Sequence, residues 1–376
     1  MWIVRYDLEV VPKKEIATHK LTIYDVAREA NVGVGTVSRV LNNHPSVTPQ
    51  TRQRVLDVAA RLNYQPHTYA QRLAKRQSET ISAIIPFFTN YFFIEILQGV
   101  QDRISQLGYD LVLYGVNNLD QVEGYVSRAL QRGRVDGILL FSMKLPEKVI
   151  LRLKETNVPV VLVDTISPYF DSISVANFDG AYAATTHLIE LGRLPVGMVN
   201  APLVSTPAVE RLQGYKHALE THGVEYSDDL VKTGYSTKQD GFNREAGYEA
   251  MVDFIRMGEN MPKAFFISSD IQAMGAIAAL SENELRVPDD IAIVGFDDIE
   301  LARHLKLTTM RQPMYQMGIL AVDRVVTRMS NTNLEILHTT FSPTLIVRES
   351  CGALRNSDGT REPSPRVTPS SEGSLR

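Results

Sequence analysis

A small all-α head followed by an α/β body of two doubly wound subdomains is the fold this sequence predicts. Three observations carry it. Residues 22–76 hold short helical patterns with little strand character. From residue 80 onward, apolar strand-like runs alternate with longer amphipathic stretches, the pattern of parallel βαβ units. These runs lie at 81–86, 109–114, 137–141, 158–163, 196–200, 263–267 and 291–295. That is many for one sheet, and two subdomains hold them better.

Composition narrows the class. At 376 residues the chain exceeds one ordinary domain. Hydrophobic residues make up 44% and charged residues 22%, the balance of a soluble globular protein. No long unbroken apolar run is present, so no membrane span is expected. The first twenty residues carry Arg5, Asp7, Glu9, Lys13, Lys14 and Glu15, unlike a signal peptide. Cys351 is the only cysteine, which forbids an intrachain disulfide. Together these features point to the cytoplasm. The net charge of −4 hides an asymmetry: residues 20–76 carry a net +6 and the remainder −10. A basic head on an acidic body suits a polyanion partner, although basic faces are also ordinary solvated surface.

Residues 1–19 show no period and read as a disordered extension, and residues 20–66 as a helical domain. Thr22 can cap a helix whose inner face is Val26, Ala27 and Ala30. That helix stops at Asn31-Val32-Gly33, and a second runs to about Asn42 with Val37, Val40 and Leu41 inward. Ala27 and Gly33 allow a close crossing at a short turn, the helix-turn-helix arrangement. Val34, Gly35, Ser38 and Arg39 then face outward, placed to enter a major groove. Arg39 could donate two hydrogen bonds to guanine. Thr22, Thr36 and Ser38 are short donors suited to phosphate oxygens, and Tyr24 and Asn42 complete the candidate DNA-binding face. Thr48-Pro49 opens a third helix, with Val55, Leu56, Val58, Ala59 and Leu62 closing the core. A helical hairpin packed on another element is the bland alternative. The GVGT stretch is no phosphate loop, since no strand precedes it.

Residues 67–76 are short, basic and helix-permissive, marginal as an isolated helix and otherwise a linker. In the body, 77–350, ligands of doubly wound sheets sit past the carboxyl ends of strands. The residues there are Pro86 to Phe92, Ser142, Asp164-Thr165, Ser268-Ser269-Asp270 and Phe296-Asp297-Asp298. Such polar and aromatic groups suit a sugar-like ligand. The aromatic residues could equally be core, and capping is the expected role of Asp270. Residues 351–376 are rich in Ser, Pro, Gly and Arg and read as a disordered tail. No GxxxxGK[ST], GxSxG, HExxH or CxxC motif is present, and the histidines do not cluster at metal spacing. No enzyme, cofactor or metal site is expected.

Residues 21–74, above all TVSRVLN and LNYQP, closely resemble the DNA-binding domain of the LacI/GalR family of bacterial transcriptional regulators. The body resembles the family's periplasmic-binding-protein-like effector domain through TNYFF, VERLQGY, SSDIQAMGA, VGFDDIE and LTTMRQP. The resemblance implies a homodimer reading a near-palindromic operator of carbohydrate-related genes, controlled by a small ligand such as a sugar or sugar derivative. It implies that Arg39 reads bases, that Val34 and Gly35 are specificity positions, and that 67–76 is a hinge helix. In that hinge, Leu73 would wedge into the minor groove while Ala70 and Ala74 let two copies approach. Phe88, Tyr91, Asp164, Arg211, Ser269, Phe296 and Asp297 would bind effector, either a sugar or a phosphorylated ligand. Crossings between subdomains are expected near 178, 313 and 333. Gly33 stands where the family usually has Ser, and Gly35 offers no side chain to a base. No leucine heptad follows residue 348, so a dimer is expected. A catabolite-control-type regulator with a phosphoprotein co-regulator is the alternative, and an exported sugar-binding protein fits the basic head poorly.

Overall fold

The computed structural model of the chain describes residues 21–64, 78–87, 89–116, 121–131, 135–331 and 333–353. The expectations for 1–19, for the hinge at 67–76 with Leu73 and Ala74, for Phe88 and for 354–376 lie outside these residues. The chain divides into two compact units between Ser78 and Glu79.

The first unit contains α1 (Ile23–Glu29), α2 (Val34–Leu41) and α3 (Pro49–Arg61). The Asp25 carboxylate accepts from the Thr22 backbone N–H at 2.9 Å and from its hydroxyl at 2.8 Å, fixing the entry to α1. Asn31, at φ +51°, turns the chain toward α2. At α3, the Thr48 side chain accepts from the Thr51 N–H, with Pro49 in the first helical position. Val26, Ala27 and Ala30 meet Val37 and Val40 from α2, and Val55, Val58 and Ala59 from α3. Leu56, expected in this core, is instead exposed. Residues 55, 58, 59 and 62 share one helix face, and position 56 is turned about 100° from 55.

The second unit contains two six-stranded sheets. The first lobe is built from β1 (Thr80–Pro86), α4 (Tyr91–Leu107), β2 (Asp110–Val116), α5 (Val122–Ala129), β3 (Gly137–Phe141), α6 (Glu147–Lys154), β4 (Val160–Val163) and β5 (Asp171–Val175). The second lobe takes α7 (Asn177–Glu190), β6 (Val196–Asn200), α8 (Thr206–Thr221), β7 (Val231–Thr233), α9 (Arg244–Ile255), β8 (Ala264–Ile267), α10 (Asp270–Glu282), β9 (Ala292–Asp297), α11 (Glu300–His304) and β10 (Thr308–Arg311). The chain then returns to the first lobe as α12 (Met314–Ser330) and β11 (His338–Phe341), and ends in the second with β12 (Thr344–Ile346). Strand orders are β11-β5-β4-β3-β1-β2 and β12-β10-β9-β8-β6-β7. Every pairing is parallel except β10 with β12. The helices cover both faces, so the central strands are buried throughout. Helices α4 and α12 cross closely because a Cβ on Gly99 or Gly318 would lie 2.1 Å from a backbone oxygen of the other helix.

Three crossings join the lobes, at 176–177, 312–313 and 342–343. The third replaces the crossing expected near 333. Buried Asp171 on β5 accepts from Arg324 and Arg328 of α12 and from the Leu337 N–H at 2.8 Å. Both arginines also donate to the Glu335 carbonyl at 2.9 Å. This network holds 335–337 against the first lobe and guides β11 into parallel pairing with β5. The tail boundary at 351 is likewise corrected. Cys351 is fully buried in the second-lobe core, its sulfur 3.2 Å from the Thr308 hydroxyl.

Candidate functional sites in the head and the interlobe cleft

In the head, burial of Val37 and Val40 turns the other face of α2 outward. Gly35, Arg39 and Asn42 are exposed there, beside half-buried Val34, Thr36 and Ser38. Thr22 and Tyr24 are exposed on the α1 side. Gly33 is the N-cap of α2 and supplies no side-chain acceptor, so the helix starts uncapped. A Cβ at Gly33 or Gly35 would meet nothing within 4 Å. The other end of α2 is held by a residue that sequence reading counted only as charge. Arg52 of α3 donates to the Asn43 side-chain oxygen at 2.5 Å and to the His44 carbonyl at 2.6 Å. Arg28 pairs with Asp25 and Arg61 with Glu29, both at 2.8 Å. Arg39 makes no ion pair among the described residues, which keeps its guanidinium available to a partner.

In the body, the carboxyl ends of β1, β3 and β4 face those of β6, β8 and β9 across a cleft open to solvent. The first lobe contributes Phe87, Phe92 and Phe93 as an apolar wall, with Asn90, Ser142, Lys144 and Asp164. The second lobe contributes Ser205, Arg211, Gln239, Asp240, Phe242, Ser269 and Asp297. Six of these residues have positive φ: Phe87, Ser142, Asp164, Gln239, Asp240 and Asp297. Such backbone is costly for residues other than glycine, and it is concentrated where the side chains must be aimed.

Arg211, only 4% exposed, is the electrostatic centre. Its Nε donates to the Asn177 side-chain oxygen at 2.9 Å, and its Nη1 donates to the Ser268 carbonyl. The Phe296 ring lies 3.8 Å beneath its guanidinium carbon, and the Asp297 carboxylate is 3.8 Å away. Burial lowers the pKa of Arg211, with Asp297 opposing. Burial raises the pKa of Asp297 against the pull of Arg211 and the hydrogen bond from Gln312 at 2.6 Å. Burial also lifts Asp164 from 3.8 to about 6, opposed by the Ser142 hydroxyl that donates to it at 2.5 Å and by Arg211. Behind them, buried Asp270 is raised well above its ordinary value by burial and by Asp297. Asp270 is not the helix cap. Ser269 caps α10, its Oγ accepting from the Gln272 N–H, while Asp270 accepts from the Thr309 hydroxyl at 2.6 Å and the Ile299 N–H at 3.1 Å.

The cleft therefore gathers Asp164, Arg211, Ser269 and Asp297 of the residues expected to bind effector. Two others are placed elsewhere. Phe296 is fully buried and supports Arg211 from below, outside the cleft lining. Tyr91 opens α4 with 41% of its surface exposed, also outside the lining. Sequence reading missed Lys144, Ser205, Gln239, Asp240 and Phe242. The available signal was Gly241 followed by the helix-capping Asn243, which marks a tight loop before α9.

Comparison with known proteins agrees with both parts. Residues 22–67 match the bacterial regulatory proteins of the lacI family, and residues 185–351 match the periplasmic binding protein-like domain. The chain is 33% identical over 316 residues to catabolite control protein A of Priestia megaterium, covering 83% of this chain and 93% of that protein. It is 33% identical over 336 residues to the HTH-type transcriptional repressor PurR of Escherichia fergusonii, covering 88% and 96%. Among solved structures, a transcriptional regulator CelR-cellobiose complex is 30% identical, with a TM-score of 0.65 over 88% of this chain and 99% of that one. The lac repressor dimer bound to operator and the anti-inducer ONPF is 27% identical, with a TM-score of 0.75 and the same coverage. A DNA-binding helix-turn-helix head on a two-lobed ligand-binding body, matched along most of its length, makes this chain a member of the LacI family of bacterial transcriptional regulators.

Proposed function

We propose that this regulator is a cytoplasmic repressor that binds a near-palindromic operator as a homodimer and responds to a neutral carbohydrate in the interlobe cleft. The observation that carries the ligand class is Arg211 set among Asp164, Asp240 and Asp297 beneath an aromatic wall. Sugar hydroxyls need donors and acceptors together, and ring faces need flat apolar partners. A phosphate group would bring negative charge to a lining whose three carboxylates outnumber Lys144 and Arg211, and Arg211 is already engaged by Asn177, Ser268 and Asp297. Likeness to the CelR-cellobiose complex supports the same class.

A thermal-shift panel of sugars, sugar phosphates and nucleobases tests this reading. A neutral sugar should raise the melting temperature and change operator affinity, because a ligand bound only by the folded body stabilises it. Stabilisation by phosphorylated sugars or nucleobases alone would overturn the ligand class. Operator binding should weaken steeply with salt as phosphate-bound counterions are released. Leu73→Ala should reduce specific binding far more than nonspecific binding; equal losses would remove the proposed wedge.

The alternative expected from the sequence, a catabolite-control-type regulator with a phosphoprotein co-regulator, is the second reading, and likeness to catabolite control protein A favours that type. A phosphorylated carrier protein that tightens operator binding without any sugar would select it.

A further inference from the structure

Gln272 lies on the inner side of α10, fully buried, on a helix whose other buried residues include Ala273, Ala276, Ala279 and Leu280. An apolar side chain is the ordinary occupant of such a position. A buried amide is costly there unless its donors and its acceptor are met. They are met, by three separate stretches of the second lobe. The Nε2 group donates to the Asn200 carbonyl at the end of β6, at 3.1 Å, and to the Gly241 carbonyl, at 3.0 Å. The Oε1 atom accepts from the Ser268 and Ser269 hydroxyls that follow β8, both at 3.0 Å. The two carbonyls can only accept, so the amide has a single orientation that satisfies them.

From this arrangement we infer that Gln272 is a positioning residue for ligand binding: it holds the loop at 238–242, which gives Gln239, Asp240 and Phe242 to the cleft. Gln272 itself lies outside the cleft lining. The inference rests on the interlobe cleft as the ligand site, and it holds for any class of ligand there.

The loop needs a hold from outside. Gln239, Asp240 and Gly241 follow one another with φ of +52°, +51° and +86°. Left-handed backbone is costly at the first two, and it belongs to no repeating ladder that could stabilise it. The Phe242 N–H donates to the Gln239 carbonyl at 2.9 Å, which closes the turn. At its base, the Asn243 Nδ2 donates to the Lys238 carbonyl at 2.6 Å, while its Oδ1 accepts from the Ala246 N–H at 2.8 Å as α9 begins. Gln272 holds the other side through the Gly241 carbonyl. A close crossing of α9 and α10 brings the amide within reach. A Cβ on Gly247 would strike the backbone of Gln272, and one on Gly275 would strike that of Arg244.

The held loop also meets the first lobe. Asn90, at the start of α4, donates through Nδ2 to the Phe242 carbonyl at 3.3 Å and to the Gln239 side-chain oxygen at 3.4 Å. One buried amide thus supports three lining side chains and a contact between the lobes. Its oxygen has a second effect. The Ser269 hydroxyl spends its proton on Gln272, while its oxygen caps α10. Ser269 therefore meets a molecule in the cleft as an acceptor.

Hydrogen exchange of the full-length protein, read by mass spectrometry, tests the role without a ligand. Gln272→Met keeps the length of the side chain and removes all four bonds. Gln272→Glu keeps the shape and the acceptor for both serines but loses the amide donors, and it preserves the test if the first variant folds poorly. In either variant, amides at 238–243 should exchange about tenfold faster than in the parent, while those of β8 and β9 stay within about twofold. A general loss of core packing would instead speed exchange throughout the lobe. The compound of the sugar, sugar-phosphate and nucleobase panel that most raises the parent's melting temperature should lose about half of that rise in the variants. Unchanged loop exchange in both variants would overturn the positioning role, as would acceleration spread evenly over the second lobe. A full rise retained in variants whose loop exchanges faster would overturn it too. A parent stabilised by no panel compound would overturn the carbohydrate reading, and the exchange result would still decide the role of Gln272.

Discussion

The outward face of α2 in the head and the floor of the cleft place charge under opposite conditions. Arg39 is exposed on a helix whose packing depends on Val37 and Val40 behind it. Arg211 is buried, and its neighbours Asn177, Ser268 and Asp297 are arranged around its charge. In the head, the proposed function and the stability therefore sit on different residues. In the cleft the proposal puts them on the same ones. The sharpest test is Arg211→Met, which leaves Asp297 and Asn177 buried without their partner. It should abolish ligand binding and cost about 3–5 kcal/mol in urea unfolding. The cost should be larger at pH 8 than at pH 6, because a proton can neutralise the abandoned carboxylate at the lower pH. A loss below about 0.5 kcal/mol, the scale of a surface change, would erase the contrast.

Asp164 sharpens the comparison through pH. Burial raises its pKa from 3.8 to about 6. A raised folded-state pKa contributes stability that is fully present below about pH 4 and lost as pH rises through about 6. Asp164→Asn can still accept from the Ser142 hydroxyl but carries no charge to desolvate. Relative to the parent, this variant should gain about 1–3 kcal/mol of stability between pH 4 and pH 7.5. Parallel urea titrations at those pH values measure the gain. A constant difference between the two proteins would show that the Asp164 charge costs nothing where it is.

Arg39→Ala provides the opposite case. Specific operator affinity should fall by about 1–3 kcal/mol, the range of one lost bidentate base contact. Stability should stay within about 0.5 kcal/mol of the parent. Gel-shift titration at fixed salt, run beside urea unfolding of the same preparation, separates the two quantities. A stability loss equal to the binding loss would mean that the head also stores structure in its reading face.

The same contrast explains what sequence could show. The head's helices were legible because each start and turn is local: Thr22 with Asp25, Gly33, and Thr48 with Pro49. Strands β1, β2, β3, β4, β6, β8 and β9 were legible as apolar runs. Strand β5 was not, because it begins at Asp171, whose burial depends on Arg324 and Arg328 more than 150 positions away. The short strands β7, β10, β11 and β12 likewise depend on distant pairing. At the site, Asp164 and Ser269 follow strand ends and Asp297 closes β9, where the fold class places ligand-facing residues. Gln239, Asp240 and Phe242 come from a loop whose left-handed backbone has no periodic signature. Phe296 was misplaced because adjacent strand residues point to opposite faces, so its ring enters the core while Asp297 lines the cleft.

The smallest predicted effect concerns the uncapped start of α2. Gly33 has extended backbone, φ −69° and ψ 149°, which a serine also adopts. Open space surrounds the position of an added Cβ, so Gly33→Ser introduces no clash. The new hydroxyl can accept from an N–H in the first turn of α2. Because glycine is itself a tolerated cap, the gain in head stability should be only a few tenths of a kcal/mol. Operator affinity should rise as well if the same hydroxyl reaches a phosphate, and that gain should be uniform across sequences, since phosphate contacts carry register rather than base identity. Binding to the operator and to a scrambled duplex, compared at one salt concentration, reads this directly. A gain confined to the operator would place position 33 among the base-reading residues and would extend the reading face of α2 by one position toward its N-terminus.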